Sequence, residues 1–215
     1  MGFKVIELEN GKRTKIKNNL HINIFAADNC DPHLCYKFSG CASLKNLNGS
    51  QQIDSLSVID DNKYVILNTN DCPFELAKST FEKISKNYDS VDALLTGYGG
   101  AGPYPQCIEN FSLKQKILEG EINIEFFLNH AYNFISEIKP KYYMPFAGTY
   151  FLSGKLNNLQ SLRGVPSIDF AYDKINSLIS NAKLLTKNIK INHGEIFDLA
   201  TGDSSSLYKK FNENE

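Results

Sequence analysis

The residues best placed to do chemistry begin with Leu67-Asn68-Thr69-Asn70-Asp71-Cys72, where an apolar run of strand type delivers a carboxylate at its end, just ahead of Pro73. A strand end holds its side chain in a direction set by the sheet ladder, which suits a metal ligand. Asp71 also stands where the cap of a helix starting near Pro73 would stand, so residue type leaves both roles open. A second group lies in Asp28-Asn29-Cys30-Asp31-Pro32-His33-Leu34-Cys35, with Cys41 close behind. Its cysteine spacing is not that of a structural zinc hairpin. Asp31 or His33 could ligate a metal through oxygen or imidazole nitrogen, or the stretch could be a polar surface loop with ordinary thiols.

Two loops could bring backbone close to a ligand. Gly97 to Pro105 carries four glycines and two prolines, so its backbone can approach a bound group and expose N–H donors. It is no P-loop, because no Gly-Lys-Ser/Thr follows, and it lacks the G-x-G-x-x-G spacing. A sharp chain reversal with Tyr98 and Tyr104 as packing residues is the other reading. Pro145 to Tyr150 has the same character, with Gly148 permitting close approach and Tyr150 able to line a cleft. His21, in an alternating strand, and His130, in an amphipathic helix, read as structural; His193 lies in a turn. No Gly-x-Ser-x-Gly nucleophile elbow is present.

The elements that must hold these groups follow from periodicity. Residues 3 to 25 read as a small β-meander, with Glu9-Asn10-Gly11-Lys12 as a turn and apolar residues at positions 20, 22 and 24 marking one face. Ser55 to Ile59 and Tyr64 to Asn68 form an antiparallel pair around a tight turn. A helix is predicted from Phe74 to Tyr88, a buried strand from Val91 to Thr96, helices from Leu113 to Glu119 and from Asn123 to Ile138, and a strand from Lys141 to Met144. A helix over Asp169 to Ala182 and a short strand over Asn188 to Asn192 complete the pattern. Strands followed by alternating helices and strands predict an α/β layered fold with its chemistry in loops at the strand ends. No repeat, linker or composition break appears, so residues 1–215 read as one domain.

Composition bounds the function. The 215 residues hold 23 Lys+Arg against 24 Asp+Glu, a formal charge of -1. That balance leaves no general footprint for nucleic acid or for an anionic membrane. No run of about 18 apolar residues predicts a membrane span. Five cysteines with no secretion signal predict reduced thiols and a cytoplasmic protein. Arg13 and Arg163 are the only arginines, so an anion clamp would lean on Arg163, on lysines, on backbone N–H groups or on a metal.

Several segments in order carry a resemblance: Asp54-Ser55-Leu56-Ser57-Val58-Ile59, Asn68-Thr69-Asn70-Asp71-Cys72, Val91 to Leu95 with Gly97 to Cys107, and Pro140 to Gly148. Together they resemble the C-terminal half of metallo-β-lactamase-fold hydrolases, in the branch of sugar-nucleotide hydroxylases acting on CMP-N-acetylneuraminate or UDP-N-acetylmuramate. The resemblance implies a partial αββα sandwich and a divalent metal (Zn, Fe or Mn). It implies Asp71 as the bridging metal ligand and catalytic residue, and His33 as a second ligand. The pocket would be shaped by Tyr98, Gly99, Gly100, Tyr104, Gly148 and Tyr150. This chain has four histidines and no H-x-H-x-D-H motif, and no His near Pro145 to Gly148. The expectation is therefore a C-terminal half without its metal-motif half. Metal-dependent hydrolysis would follow only on completion by the missing N-terminal half, and that half or a second copy of the chain is the expected protein partner. Otherwise the chain is a non-catalytic domain binding a small sugar-like ligand or a protein.

Overall fold

The computed structural model describes residues 5–26 and 55–210. The expectations for Asp28 to Cys41, His33 among them, lie outside the described residues. The class predicted from the sequence, α/β, is what the structure holds. By compactness the chain divides into two units, Met1–Leu95 and Thr96–Glu215, where the sequence pattern suggests a single domain. The boundary falls inside a strand, so no change of composition marks it.

In the first unit β1 (Thr14–Lys17), β2 (Leu20–Ala26), β3 (Ser55–Asp60) and β4 (Val65–Asn68) pair antiparallel in chain order. Helix α1 (Phe74–Asn87) then returns the chain to β5 (Ala93–Thr96), which pairs parallel with β4. Helix α1 buries Leu76, Ala77, Thr80, Phe81 and Ile84, one face of a 3.6-residue period. Residues 5–9 take no regular structure, so the meander starts later than the pattern suggests.

The face of β2 is a correction. Apolar residues at 20, 22 and 24 predict an inward even face, yet Asn23 and Phe25 are the buried ones, at 1% and 2% exposure. The register decides this: Asn23 lies opposite Val58 and Phe25 opposite Leu56, and Val58 and Leu56 point into the core. Directly paired residues share a face, so β2 turns its odd side inward even though that buries an amide.

The same face of β3 ends in a buried carboxylate, Asp60. Arg13 holds it through both Nε and Nη2, and the Asn62 N–H donates to it at 3.1 Å. His21 Nδ1 lies 2.8 Å from Arg13 Nη2, which gives that histidine a structural setting. The Arg13 hydrogen bonds hold the Asp60 carboxyl below its ordinary value of 3.8.

In the second unit α2 (Leu113–Ile138) and α3 (Ile168–Asn181) pack together beside β6 (Tyr142–Pro145) and β7 (Lys187–Asn188), which pair parallel. The core is Leu128, Ala131, Phe134, Ile135, Tyr143, Ala171 and Ile175, each with essentially no exposure. Burying a side chain such as Phe134 contributes roughly 1.5–3 kcal/mol. Helix α2 opens with a capping box, in which Ser112 Oγ accepts from the Gln115 N–H and the Gln115 side chain accepts from the Ser112 N–H. It closes at Lys139, in a left-handed conformation, before Pro140.

Two helices were expected where α2 is one continuous helix of 26 residues. Residues 120–122, between the two expected helices, lie inside it. A Cβ built on Gly120 would stand 3.4 Å from Gly164 Cα. The glycine is used for close approach of another chain segment, and a lone glycine costs a long helix only about 1 kcal/mol relative to Ala. Strand β7 is shorter than the predicted Asn188 to Asn192 and starts one residue earlier.

Replacing Asp60 by Ala should lower unfolding free energy by about 1–3 kcal/mol in urea melts at neutral pH, because it strips the Arg13 fork and the Asn62 N–H of their acceptor. A carboxyl with a depressed folded-state value gives stability that is present above 3.8 and lost as pH falls through that lower value. The gap between the native chain and Asp60→Ala should therefore narrow at acid pH, and a gap constant with pH would contradict the ion-pair account.

Candidate functional site

The second unit brings together the two small-residue loops singled out in the sequence. The loop following Thr96 and the loop following Pro145 are tied at their roots, where the Phe146 N–H donates to the Thr96 carbonyl at 3.1 Å. One step on, Tyr98 lays its ring against Gly148 so closely that a Cβ on Gly148 would stand 2.5 Å from ring carbons. A Cβ on Gly99 would stand 2.5 Å from the Gly148 carbonyl oxygen and 3.1 Å from Val165 Cγ1. Gly100 faces the Phe127 ring at similarly short range. Here the glycines serve contact between loops.

A hydrogen-bond chain runs through the contact. Tyr98 Oη lies 2.8 Å from Thr149 Oγ1, which donates to the Pro166 carbonyl at 3.3 Å, leaving Tyr98 as the donor to Thr149. Tyr98 is buried, and burial pushes its phenol above the usual range against the opposing pull of the Thr149 bond. Tyr143 on β6 is buried outright, its hydroxyl without a hydrogen-bond partner, and burial raises it further. Neither phenol ionises near neutral pH, so both act as neutral groups.

A second polar cluster forms around Tyr150. Its hydroxyl donates to the Gly102 carbonyl at 3.1 Å and accepts from Gln106 Nε2 at 3.1 Å; Gln106 Nε2 also donates to the Gly102 carbonyl at 2.8 Å. Lys116 on α2 donates to the Gln106 carbonyl at 2.9 Å. Burial raises the Tyr150 phenol, while the Gln106 bond and the Arg163 charge pull the other way. Arg163 lies across the Tyr150 and Phe151 rings, 5.5 and 5.4 Å from their centroids. Tyr104 donates to Glu119 on α2, which raises its phenol, and meets the Phe111 ring edge-on.

Of the pocket residues expected from sequence, Tyr98, Gly99 and Gly148 are in mutual contact. Tyr150 heads the neighbouring polar cluster, Gly100 packs on Phe127, and Tyr104 binds back to α2. Asp71 belongs to the other compact unit, exposed in the turn after β4. It is not the N-cap of α1, a place held by Pro73. His130 packs between the Phe126 and Phe134 rings. Gln106 and Thr149 escape sequence reading altogether, since an isolated Gln or Thr in a loop has no pattern that marks it.

The described residues do not form a metal centre. Among them no group of three or more His, Cys, Asp or Glu side chains could hold an ion.

No family model and no curated protein matches the chain. Solved structures similar to it include the following two. One is a mutant of CmlA beta-hydroxylase, with 9% identity, a TM-score of 0.46 and 87% of this chain set against 33% of that one. The other is the metallo-beta-lactamase fold protein YhfI from Bacillus subtilis, with 10% identity, a TM-score of 0.42 and 87% of this chain set against 53% of that one. The chain thus spans a third and about half of the length of these two proteins.

The contact between loops should depend on Gly99 more than on its neighbours. Gly99→Ala sets a Cβ against backbone that no rotamer change can move, and should cost about 1–3 kcal/mol in thermal or denaturant melts. Gly102→Ala, whose Cβ meets nothing nearer than 4.0 Å, should stay within about 0.5 kcal/mol of the native chain. Equal effects at the two positions would show that the loops do not meet as described.

Proposed function

We infer that this chain is a small-ligand-binding domain derived from the metallo-β-lactamase fold, with the loops after β5 and β6 as its binding surface. The sequence resemblance supports the fold relationship. The observation that carries the binding reading is the Tyr150 cluster, where Gln106 is 1% exposed and its Oε1 has no hydrogen-bond partner. A buried acceptor left unmet costs free energy that a bound donor would return. Its amide orientation is fixed, because exchanging oxygen and nitrogen would set Oε1 against the Gly102 carbonyl. The order of segments resembling sugar-nucleotide hydroxylases supports a hydroxyl-rich, sugar-like ligand.

Hydrolysis is the second reading, and the same resemblance favours it through Asp71. Three or four protein ligands are needed to hold a catalytic metal, so this reading requires a different partner chain to bring the histidine-rich motif. Such a partner would turn a binding domain into one half of a metal-dependent hydrolase.

Emission spectrometry on the purified full-length chain, after exposure to Zn, Fe(II) or Mn and gel filtration, tests the binding-domain reading, in which this chain holds no metal by itself. Well under one equivalent of any metal is expected, unchanged by Asp71→Ala. Stoichiometric metal lost on Asp71→Ala would overturn the binding-domain reading in favour of the hydrolase.

A further inference from the structure

Arginine is the scarce cation of this chain, and its two positions use it differently. At Arg13 the guanidinium fork is filled by the Asp60 carboxylate. At Arg163 the fork is open. Nε donates to the Gln160 carbonyl at 2.8 Å, and the Tyr150 and Phe151 rings flank the cation. Arg163 is only 7% exposed, yet Nη1 is buried with no hydrogen-bond partner, and no carboxylate among the described residues pairs with it. Aromatic faces offset part of the desolvation of such a cation but leave its N–H donors unmet.

The position of Arg163 is built. The next residue, Gly164, has φ +62 and stands against Gly120 of α2, where a Cβ on Gly164 would lie 3.0 Å from Gly120 Cα and 3.2 Å from Pro105 Cδ. Asn123 Nδ2 donates to the Gly164 carbonyl at 3.1 Å. The backbone beside the guanidinium is thus pinned, and the side chain is held under two rings instead of reaching water. Around Tyr150, then, stand two buried and unmet groups of opposite kind: the Arg163 Nη1 donor by the ring face and the Gln106 Oε1 acceptor by the hydroxyl.

We propose that Arg163 and Gln106, on either side of Tyr150, form a subsite for a small organic oxyanion that also carries a hydroxyl. An anionic oxygen accepts from Arg163 Nη1, and the ligand O–H donates to Gln106 Oε1. The planar guanidinium suits a carboxylate or a phosphate, which a lysine would meet only as a point charge. Phe151, 51% exposed, flanks the cation, and a ligand reaching Nη1 has to displace its ring. This assignment rests on the reading of these loops as a binding surface and adds the charge of the ligand to it.

The test titrates the full-length chain by calorimetry with glycerol phosphate, glycerate and neutral glycerol. One of the two anions is expected to bind, the better one identifying phosphate or carboxylate as the preferred oxyanion, with glycerol at least tenfold weaker. Arg163→Met, Arg163→Lys and Gln106→Met should each weaken the anion at least tenfold. Without ligand, Arg163→Met should melt cooperatively and no lower than the native chain, because it removes an unpaired buried charge. Binding undiminished in Arg163→Met, or neither anion binding, overturns the proposal. A melt of Arg163→Met well below that of the native chain makes Arg163 a structural core residue and overturns it too. Glycerol binding as tightly as its anions overturns the anion assignment while leaving the small-ligand reading standing.

Discussion

The second unit depends on a contact that only a hydrogen atom allows. Tyr98 rests on Gly148 and Gly99 rests on the Gly148 carbonyl, at distances where any Cβ would collide. With the loop roots tied by the Phe146 to Thr96 hydrogen bond, this fixes the path of both loops as they leave their strands. Thr149 follows Gly148 and so meets the Tyr98 hydroxyl; Tyr150 comes next and meets Gln106 and Gly102. The polar cluster is downstream, in sequence and in cause, of a steric constraint.

The same device recurs at Gly120 and Gly164. Two glycines facing each other let the chain beside Arg163 lie directly on α2, and Asn123 closes the contact by bonding the Gly164 carbonyl. A helix interior is a poor place for glycine on propensity alone. Its presence there is explained by what it admits, and what it admits is the segment that carries the open guanidinium.

Electrostatics separates the two arginines more sharply than the near-zero net charge suggests. One is neutralised within a structural network of Arg13, Asp60, His21 and Asn62. The other is buried among aromatic rings with a donor left over. A structural ion pair is complete within the chain. A recognition group is completed by something outside it, and Arg163 has the second character.

Much of the architecture was legible in the sequence because periodicity and turn chemistry are local. The antiparallel pair around Asp61-Asn62, helix α1, the body of α3 and the stop of α2 at Pro140 all follow from residues within a few positions of each other. The two glycine-bearing loops were legible as places of close approach, though not as partners of one another. The inward face of β2 was misread, because its even positions look apolar while the register with β3, a nonlocal property, buries Asn23 and Phe25. The pattern divides α2 into two helices, and the use of Gly120 inside the single helix is invisible locally, because the segment that needs its missing side chain lies more than forty residues away, at Gly164. The sequence by itself determined the α/β class, the strand-end loops and the scarcity of arginine. Only the tertiary structure decided which loop residues meet, which strand face turns inward and which arginine keeps an open fork, because contacts distant in sequence set all three.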